Sequence, residues 1–219
     1  MSRIFVVGAH GHVGRLIVSK LSQAGDQVFA GFRDDRQFTT VANLAHVTPV
    51  KFDLTESPEA IAQVFTDHEI DTIVFSAGSG GNTGDDMTLL IDLDGAIKTM
   101  DAAKQAGVKR YVMVSAAGAD NRAFWPQTGE LHPYYVAKHY ADRALKASDL
   151  DYTIIRPTTL SNDAGTGKIA VDSDHIGGSI PRDDVASTVV AVLANPATKR
   201  KIYQITSGDD PINNVFQVE

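Results

Sequence analysis

The chain contains no cysteine. Disulfides, thiolate nucleophiles and cysteine-held zinc or iron–sulfur centres are excluded together, and the composition fits a reducing compartment. Long apolar runs are also missing. The run that begins at Ile4 stops at Gly8, too short for a secretory signal core. A membrane span needs about 20 apolar residues, and nothing here reaches that length. Basic blocks are scarce: Lys199-Arg200-Lys201 stands alone and reads as a solvated turn before a strand. With a net charge of -7 the overall field disfavours nucleic acid. The expectation is a cytoplasmic protein with neither a membrane nor a nucleic-acid partner.

What is present suits a sizeable core. A length of 219 residues at 43% hydrophobic content fits one α/β domain spanning 1–219. No internal repeat, low-complexity tract or linker interrupts it. Short apolar runs at 4–7, 27–32, 47–52, 72–75, 108–114, 152–155 and 201–206 predict buried strands. Between them, helical spacing predicts helices over 12–24, 58–66, 88–106, 133–147 and 182–194. Gly25 and Gly107 stand as C-terminal stops and Ser57 as an N-cap. Strand alternating with helix specifies a doubly wound parallel sheet, and wholly apolar strands fit a sheet covered on both faces. Irregular stretches at 78–87, 118–130 and 160–178 follow the fourth, fifth and sixth strands. In such a sheet they emerge at the carboxyl edge, where ligands bind. Residues 118–130 and 157–181 are therefore expected to elaborate the substrate side.

Gly8-Ala-His-Gly11-His-Val-Gly14 joins the first strand to the first helix. Three glycines alone are a weak signal. Their place between a buried strand and an amphipathic helix makes them a dinucleotide-binding loop. Glycine lets a pyrophosphate approach the main chain, and the free N–H groups of the helix N-terminus hold its charge. The bland alternative is a tight turn that needs positive φ. His10, His12 and Val13 line this loop. The two histidines lack partners at ligand spacing, so no metal is expected.

An acidic residue about 20 positions past the glycines normally grips the ribose of NAD. Arg33 stands there instead. A guanidinium matches a 2′-phosphate in charge and geometry, which favours NADP(H) over NAD(H). The competing reading pairs Arg33 with Asp34 or Asp35. Arg15, just inside the helix, could assist. Asp53 and Leu54 end the third strand, where the carboxylate can meet an adenine amino group or begin a turn. Ser76, Ala77 and Gly78 end the fourth, small enough for a cofactor to lie against the backbone.

These residues, with Tyr134-xxx-Lys138, Arg156-Pro157 and Asp184-Val185-Ala186, fall in an order that resembles the short-chain dehydrogenase/reductase superfamily, in its atypical and extended branch. The resemblance covers essentially the whole chain. The run from Tyr134 through Arg156-Pro-Thr-Thr-Leu160 to Thr166-Gly-Lys168 looks like small bacterial NAD(P)-binding proteins labelled as epimerases or oxidoreductases. It implies an NAD(P)-binding Rossmann fold with a small C-terminal cap, and adds Pro157 to the cofactor residues. It also implies Tyr134 as catalytic acid/base, Lys138 as its partner and cofactor lysine, and Ser115 as a helper. The likeness departs at two positions. Ala116 takes the usual hydroxyl position after the fifth strand, and Asp92 stands where extended members carry asparagine; its bland reading is a solvated helix acid.

Four residues apart on a helix, Tyr134 and Lys138 project together. The ammonium is expected to lower the phenol pKa from about 10, so that tyrosine can give a proton as hydride arrives. The shifted pair Tyr135-xxx-His139 is a decoy, and a tyrosine packed on a sheet can be plain core. The favoured reading is an NADP(H)-dependent oxidoreductase acting on a small carbonyl, quinone or flavin-like acceptor. The alternatives are a non-catalytic NADP(H) redox sensor and a sugar-nucleotide epimerase, the last opposed by the short segment after the sixth strand. Phe124, Trp125, Pro126 and Leu160 are expected either to line a small-molecule pocket or to serve a homodimer interface.

Overall fold

A computed structural model of the chain describes residues 2–80, 83–171 and 176–217. Residues 81–82 and 172–175, inside two of the expected irregular stretches, lie outside the described ones. The strands are β1 (Arg3–Val7), β2 (Gln27–Phe32), β3 (Val47–Lys51), β4 (Thr72–Phe75), β5 (Arg110–Val114), β6 (Asp151–Pro157), β7 (Thr159–Ser161), β8 (Lys168–Val171), β9 (Ser179–Pro181), β10 (Lys201–Ser207) and β11 (Asp210–Pro211). The helices are α1 (His12–Gln23), α2 (Pro58–Asp67), α3 (Asp85–Met87), α4 (Ala96–Gln105), α5 (His132–Ala147), α6 (Arg182–Ala194) and α7 (Ile212–Val215), with a π-helical stretch Thr88–Gly95 between α3 and α4.

The main sheet has nine strands in the order β11-β8-β10-β6-β5-β4-β1-β2-β3. Pairing from β3 to β10 is parallel, and β8 joins β10 antiparallel. The order reverses between β1 and β4, which opens a crevice at their carboxyl ends. Pro49 sits in β3, an edge strand, where a missing N–H costs no ladder bond.

Alternation along each strand splits the core in two. Ile4 and Val6 of β1 face Val13, Ile17 and Leu21 of α1 and Val185 and Val189 of α6. Phe5 and Val7 face the opposite layer, with Ile61 and Phe65 of α2, Met100 of α4 and Leu145 of α5. Ser57 caps α2 by accepting from the Ala60 amide at 3.2 Å. The segment after β6 adds β10, β8 and β11 to the main sheet and forms a separate two-stranded parallel ribbon, β7 with β9.

Candidate functional site

The loop after β1 is built tightly. Gly8 has φ +82°, and a Cβ there would lie 2.7 Å from the Ala77 backbone. A Cβ at Gly14 would lie 2.1 Å from the Gly8 carbonyl oxygen. Glycine is therefore required for the loop to close on itself and on the end of β4. Gly11 differs: its Cβ would meet only the Gly8 oxygen, at 3.3 Å, and the residue is exposed. Gly11 is the N-cap of α1, no side chain caps that helix, and no acid stands in its first turn. Its leading N–H groups, from His12 and Val13, are left for an anion. The Val13 side chain is buried in the core, so it can offer only its backbone. His10 takes a bond from Arg15 at 2.8 Å, and burial lowers its pKa, with help from Arg15 and His12. Among the described residues no cluster of His, Cys, Asp or Glu could hold a metal.

At the end of β2 the two candidate partners of Arg33 pair with other residues. The Asp34 carboxylate accepts from the Arg36 guanidinium and from the Arg36 backbone amide, and Asp35 pairs with Lys51 at 3.3 Å. Arg33 is exposed and makes no ion pair among the described residues. Asp53 uses Oδ1 to accept from the Thr55 amide and hydroxyl at 2.9 and 2.8 Å. The Thr55 amide is the main reason its pKa is lowered, so the turn reading of Asp53 holds for one oxygen. Leu54 is buried against Gly95. Ser76 folds back to donate to the Val7 carbonyl at 3.1 Å, and Ala77 packs on Gly8.

A second set of polar residues converges beside this edge. Lys138 is 3% exposed, and its ammonium stands 3.1 Å from Asp92, which is fully buried. The other Asp92 oxygen accepts from the Ser79 amide at 2.9 Å, tying the end of β4 to α5. Asp92 is thus not the solvated helix acid that a sequence reading allows. The π stretch turns Thr88, Asp92 and Gly95 inward while Leu89 and Leu90 face out, half-exposed. The Tyr134 ring lies 5.5 Å from the Lys138 ammonium. Burial raises the Tyr134 phenol, with Asp92, Tyr135 and Asp142 pushing the same way, and Lys138 does not reverse it. The expected lowering of this phenol is corrected accordingly. Burial alone would lower Lys138, but Tyr134, Asp92 and Asp142 outweigh it and hold the ammonium above the ordinary lysine value.

Behind them lies a further chain of charge. Arg156 donates to Asp142 at 2.9 Å and reaches Asp120 at the surface. Burial raises Asp142, against the pull of Arg156 and Ser115. Ser115 is 4% exposed, and its hydroxyl, beside Asp142, finds no well-formed hydrogen bond among the described residues. Ala116 follows it, buried and without a polar group. Pro157 is buried at the end of β6, its carbonyl accepting from the Ala117 amide at 2.9 Å.

The loop over 118–131 is braced from inside. Trp125 donates to the Gly118 carbonyl at 3.1 Å and is buried, so it serves as a strut rather than as a pocket wall or an interface. Phe124 packs edge-on against Tyr135. The decoy histidine, His139, holds the Ala119 carbonyl at 3.0 Å.

Sequence reasoning named His12 and Arg15 but missed the other polar residues that complete the cleft. His12, Arg15, Asn162, Asp163, Arg182 and Asp183 help line a cleft of about 410 Å³ between the start of α1 and the loop after β7. Arg182 donates to Asn162 at 2.8 Å, and Lys20 binds Asp183 at 2.9 Å. Asp184, fully buried, fixes the loop by accepting from the Thr166 amide and hydroxyl and the Gly167 amide, at 3.0, 3.1 and 2.8 Å. The expected elaboration over 157–181 and the Asp184-Val185-Ala186 run signalled this region, not the individual contacts.

Comparison with known proteins agrees with the geometry. Residues 8–196 match an NAD(P)H-binding family model. The Bacillus subtilis protein YhfK, named an uncharacterized sugar epimerase, is 46% identical over 96% of both chains. A Bacillus halodurans structure named as a candidate NAD-dependent epimerase/dehydratase superposes with a TM-score of 0.90 at 39% identity, covering 99% of each chain. The oxidoreductase ylbE from Lactococcus lactis superposes with a TM-score of 0.89 at 32% identity, covering 98% of this chain and 94% of its own. With a glycine loop opening an uncapped helix at the sheet's switch point, this chain belongs to the NAD(P)H-binding family of Rossmann-fold proteins.

Proposed function

We propose that this protein is an NADP(H)-dependent oxidoreductase that passes hydride to a small carbonyl, quinone or flavin-like acceptor. The observation that carries the reading is the buried Asp92–Lys138 pair beside Tyr134, joined through Ser79 to the strand end that packs on the glycine loop. An oxidoreductase at 32% identity supports it.

The bound dinucleotide supplies the hydride. The His12 and Val13 amides would hold its pyrophosphate, and Arg33, which forms no salt bridge among the described residues, would receive the 2′-phosphate. Ser76, Ala77, Gly78 and Pro157 would form the floor, and Asp53 would meet the adenine. Lys138, paired with Asp92, would orient the nicotinamide ribose. Tyr134 gives its O–H proton to the acceptor oxygen as hydride reaches the carbonyl carbon, and solvent restores the proton to the phenol. Ser115, held against Asp142, supports this cluster from behind.

NADPH oxidation over a panel of quinones, aldehydes, ketones and flavins, in wild type and Tyr134→Phe, tests the proposal. Turnover that falls at least a hundredfold in the variant supports the tyrosine acid. Turnover that survives points to an acceptor needing no proton from Tyr134. Tight NADPH binding with no turnover anywhere would refute the enzyme reading and favour a redox sensor.

A further inference from the structure

The resemblance leads one to expect a lysine whose charge is free to acidify the neighbouring phenol. This chain does something different with that charge. The π stretch Thr88–Gly95 buries a polar stripe, with Thr88 bonded to Ser79 at 3.2 Å and Asp92 one turn on. π turns insert a residue into a helix and recur at functional sites. Here the inserted turn drives a carboxylate into a position with no solvent at all, 3.1 Å from an ammonium that is itself 3% exposed. A Cβ at Gly78 would lie 3.1 Å from the same Asp92 oxygen, so the strand end leaves room for that carboxylate.

We propose that Asp92 is a positioning residue that neutralises Lys138 inside the site and so removes the charge that would otherwise favour the Tyr134 phenolate. This inference rests on the oxidoreductase reading for its consequence, but its physical content does not.

Among the described residues, the charges acting on Tyr134 come from two elements. From its own helix come Lys138, Tyr135 and Asp142, and from the π stretch comes Asp92. Lys138 alone would favour tyrosinate. Asp92 sits directly on that ammonium, and Asp142 adds a second negative charge one helical turn along. The pair presents little net charge to the phenol, and partial burial of the ring favours the neutral form. The consequence is functional. The proton donor is kept loaded for reduction, and alcohol oxidation, which needs tyrosinate, is disfavoured by the same balance. An asparagine at position 92 would leave the ammonium unbalanced and shift that balance toward tyrosinate.

Ultraviolet difference titration of tyrosinate separates these states without turnover. The proteins are wild type, Tyr134→Phe, Asp92→Asn and the Asp92→Asn/Tyr134→Phe pair. Wild type minus Tyr134→Phe is expected to show no Tyr134 ionisation below pH of about 10. Asp92→Asn is expected to ionise Tyr134 about one to two pH units lower, a step lost in the double variant. The pH profile of kcat/KM for reduction should break at the same shifted value. A wild-type Tyr134 step between pH of about 7 and 9 overturns the proposal, as does an Asp92→Asn titration that coincides with wild type. The wild-type comparison stands even if Asp92→Asn folds poorly. Absence of turnover would sink the oxidoreductase reading and leave the titration result intact.

Discussion

Asp184 offers the sharpest test of how the cleft is held. Its two carboxylate oxygens accept three bonds from the Thr166 amide, the Thr166 hydroxyl and the Gly167 amide, and the residue is fully buried. Asp184→Ala removes all three, although Thr166 and Gly167 are exposed, so water can take up their amides. Each lost bond then costs about 0.5–1.5 kcal/mol, and the lost charge in the first turn of α6 adds about 0.3–1 kcal/mol. The sum is about 2–5 kcal/mol. For a chain of this size that lowers Tm by roughly 10 °C. Asp184→Asn keeps one acceptor, so it loses fewer of these bonds and should cost about half as much. Calorimetric melting of the three proteins reads the order directly, and NADPH titration should weaken in the same order, because the loop after β7 lines the cleft. A Tm shift below about 2 °C for Asp184→Ala would refute the reasoning. So would an asparagine variant no better than alanine.

The other predictions are simpler. Gly14→Ala places a Cβ 2.1 Å from the Gly8 carbonyl oxygen, a backbone clash that no side-chain motion relieves. It should abolish NADPH binding or yield insoluble protein, and a variant with wild-type affinity would contradict the loop geometry. Arg33→Ala should weaken NADPH by about tenfold or more, the worth of a charge-assisted contact of about 1.5–3 kcal/mol, and leave NADH unchanged. Equal loss for both dinucleotides in isothermal titration would remove Arg33 from the 2′-phosphate. The Tyr134→Phe and Asp92→Asn outcomes complete the set.

Much of the fold was legible because the inner strands are buried on both sides. Gln27–Phe32, Thr72–Phe75 and Arg182–Ala194 match the expected bounds, and His12–Gln23 and Lys201–Ser207 differ from them by one residue. Continuous apolar runs between glycine and polar breaks carry that signal on their own. The short strands β7, β8, β9 and β11 do not: they have two to four residues each and are defined by partners far along the chain. The π stretch was hidden for another reason. Thr88-Leu-Leu-Ile-Asp-Leu reads as an ordinary helix with its leucines inward, yet Leu89 and Leu90 are about half exposed and Asp92 is buried. Hydrophobic spacing points the wrong way where a site needs its charge inside. The same holds for Asn162, in the loop after β7, and Arg182, at the start of α6, which only tertiary structure brings to α1. The phenol of Tyr134 followed the pattern: its partner Lys138 was visible at four-residue spacing, while the carboxylate that balances it comes from another element.

The contact between Lys20 and Asp183 spans 163 positions of sequence. It makes the cleft a seam between the first helix and the last third of the chain. Closing so long a loop is slow relative to forming local helices, so the glycine turn can form before the wall opposite it. Binding competence would then arise late in folding, with the docking of α6 on α1. A ligand held in that seam adds its binding energy to both ends at once, and the two termini should share one protection in hydrogen exchange instead of fraying separately.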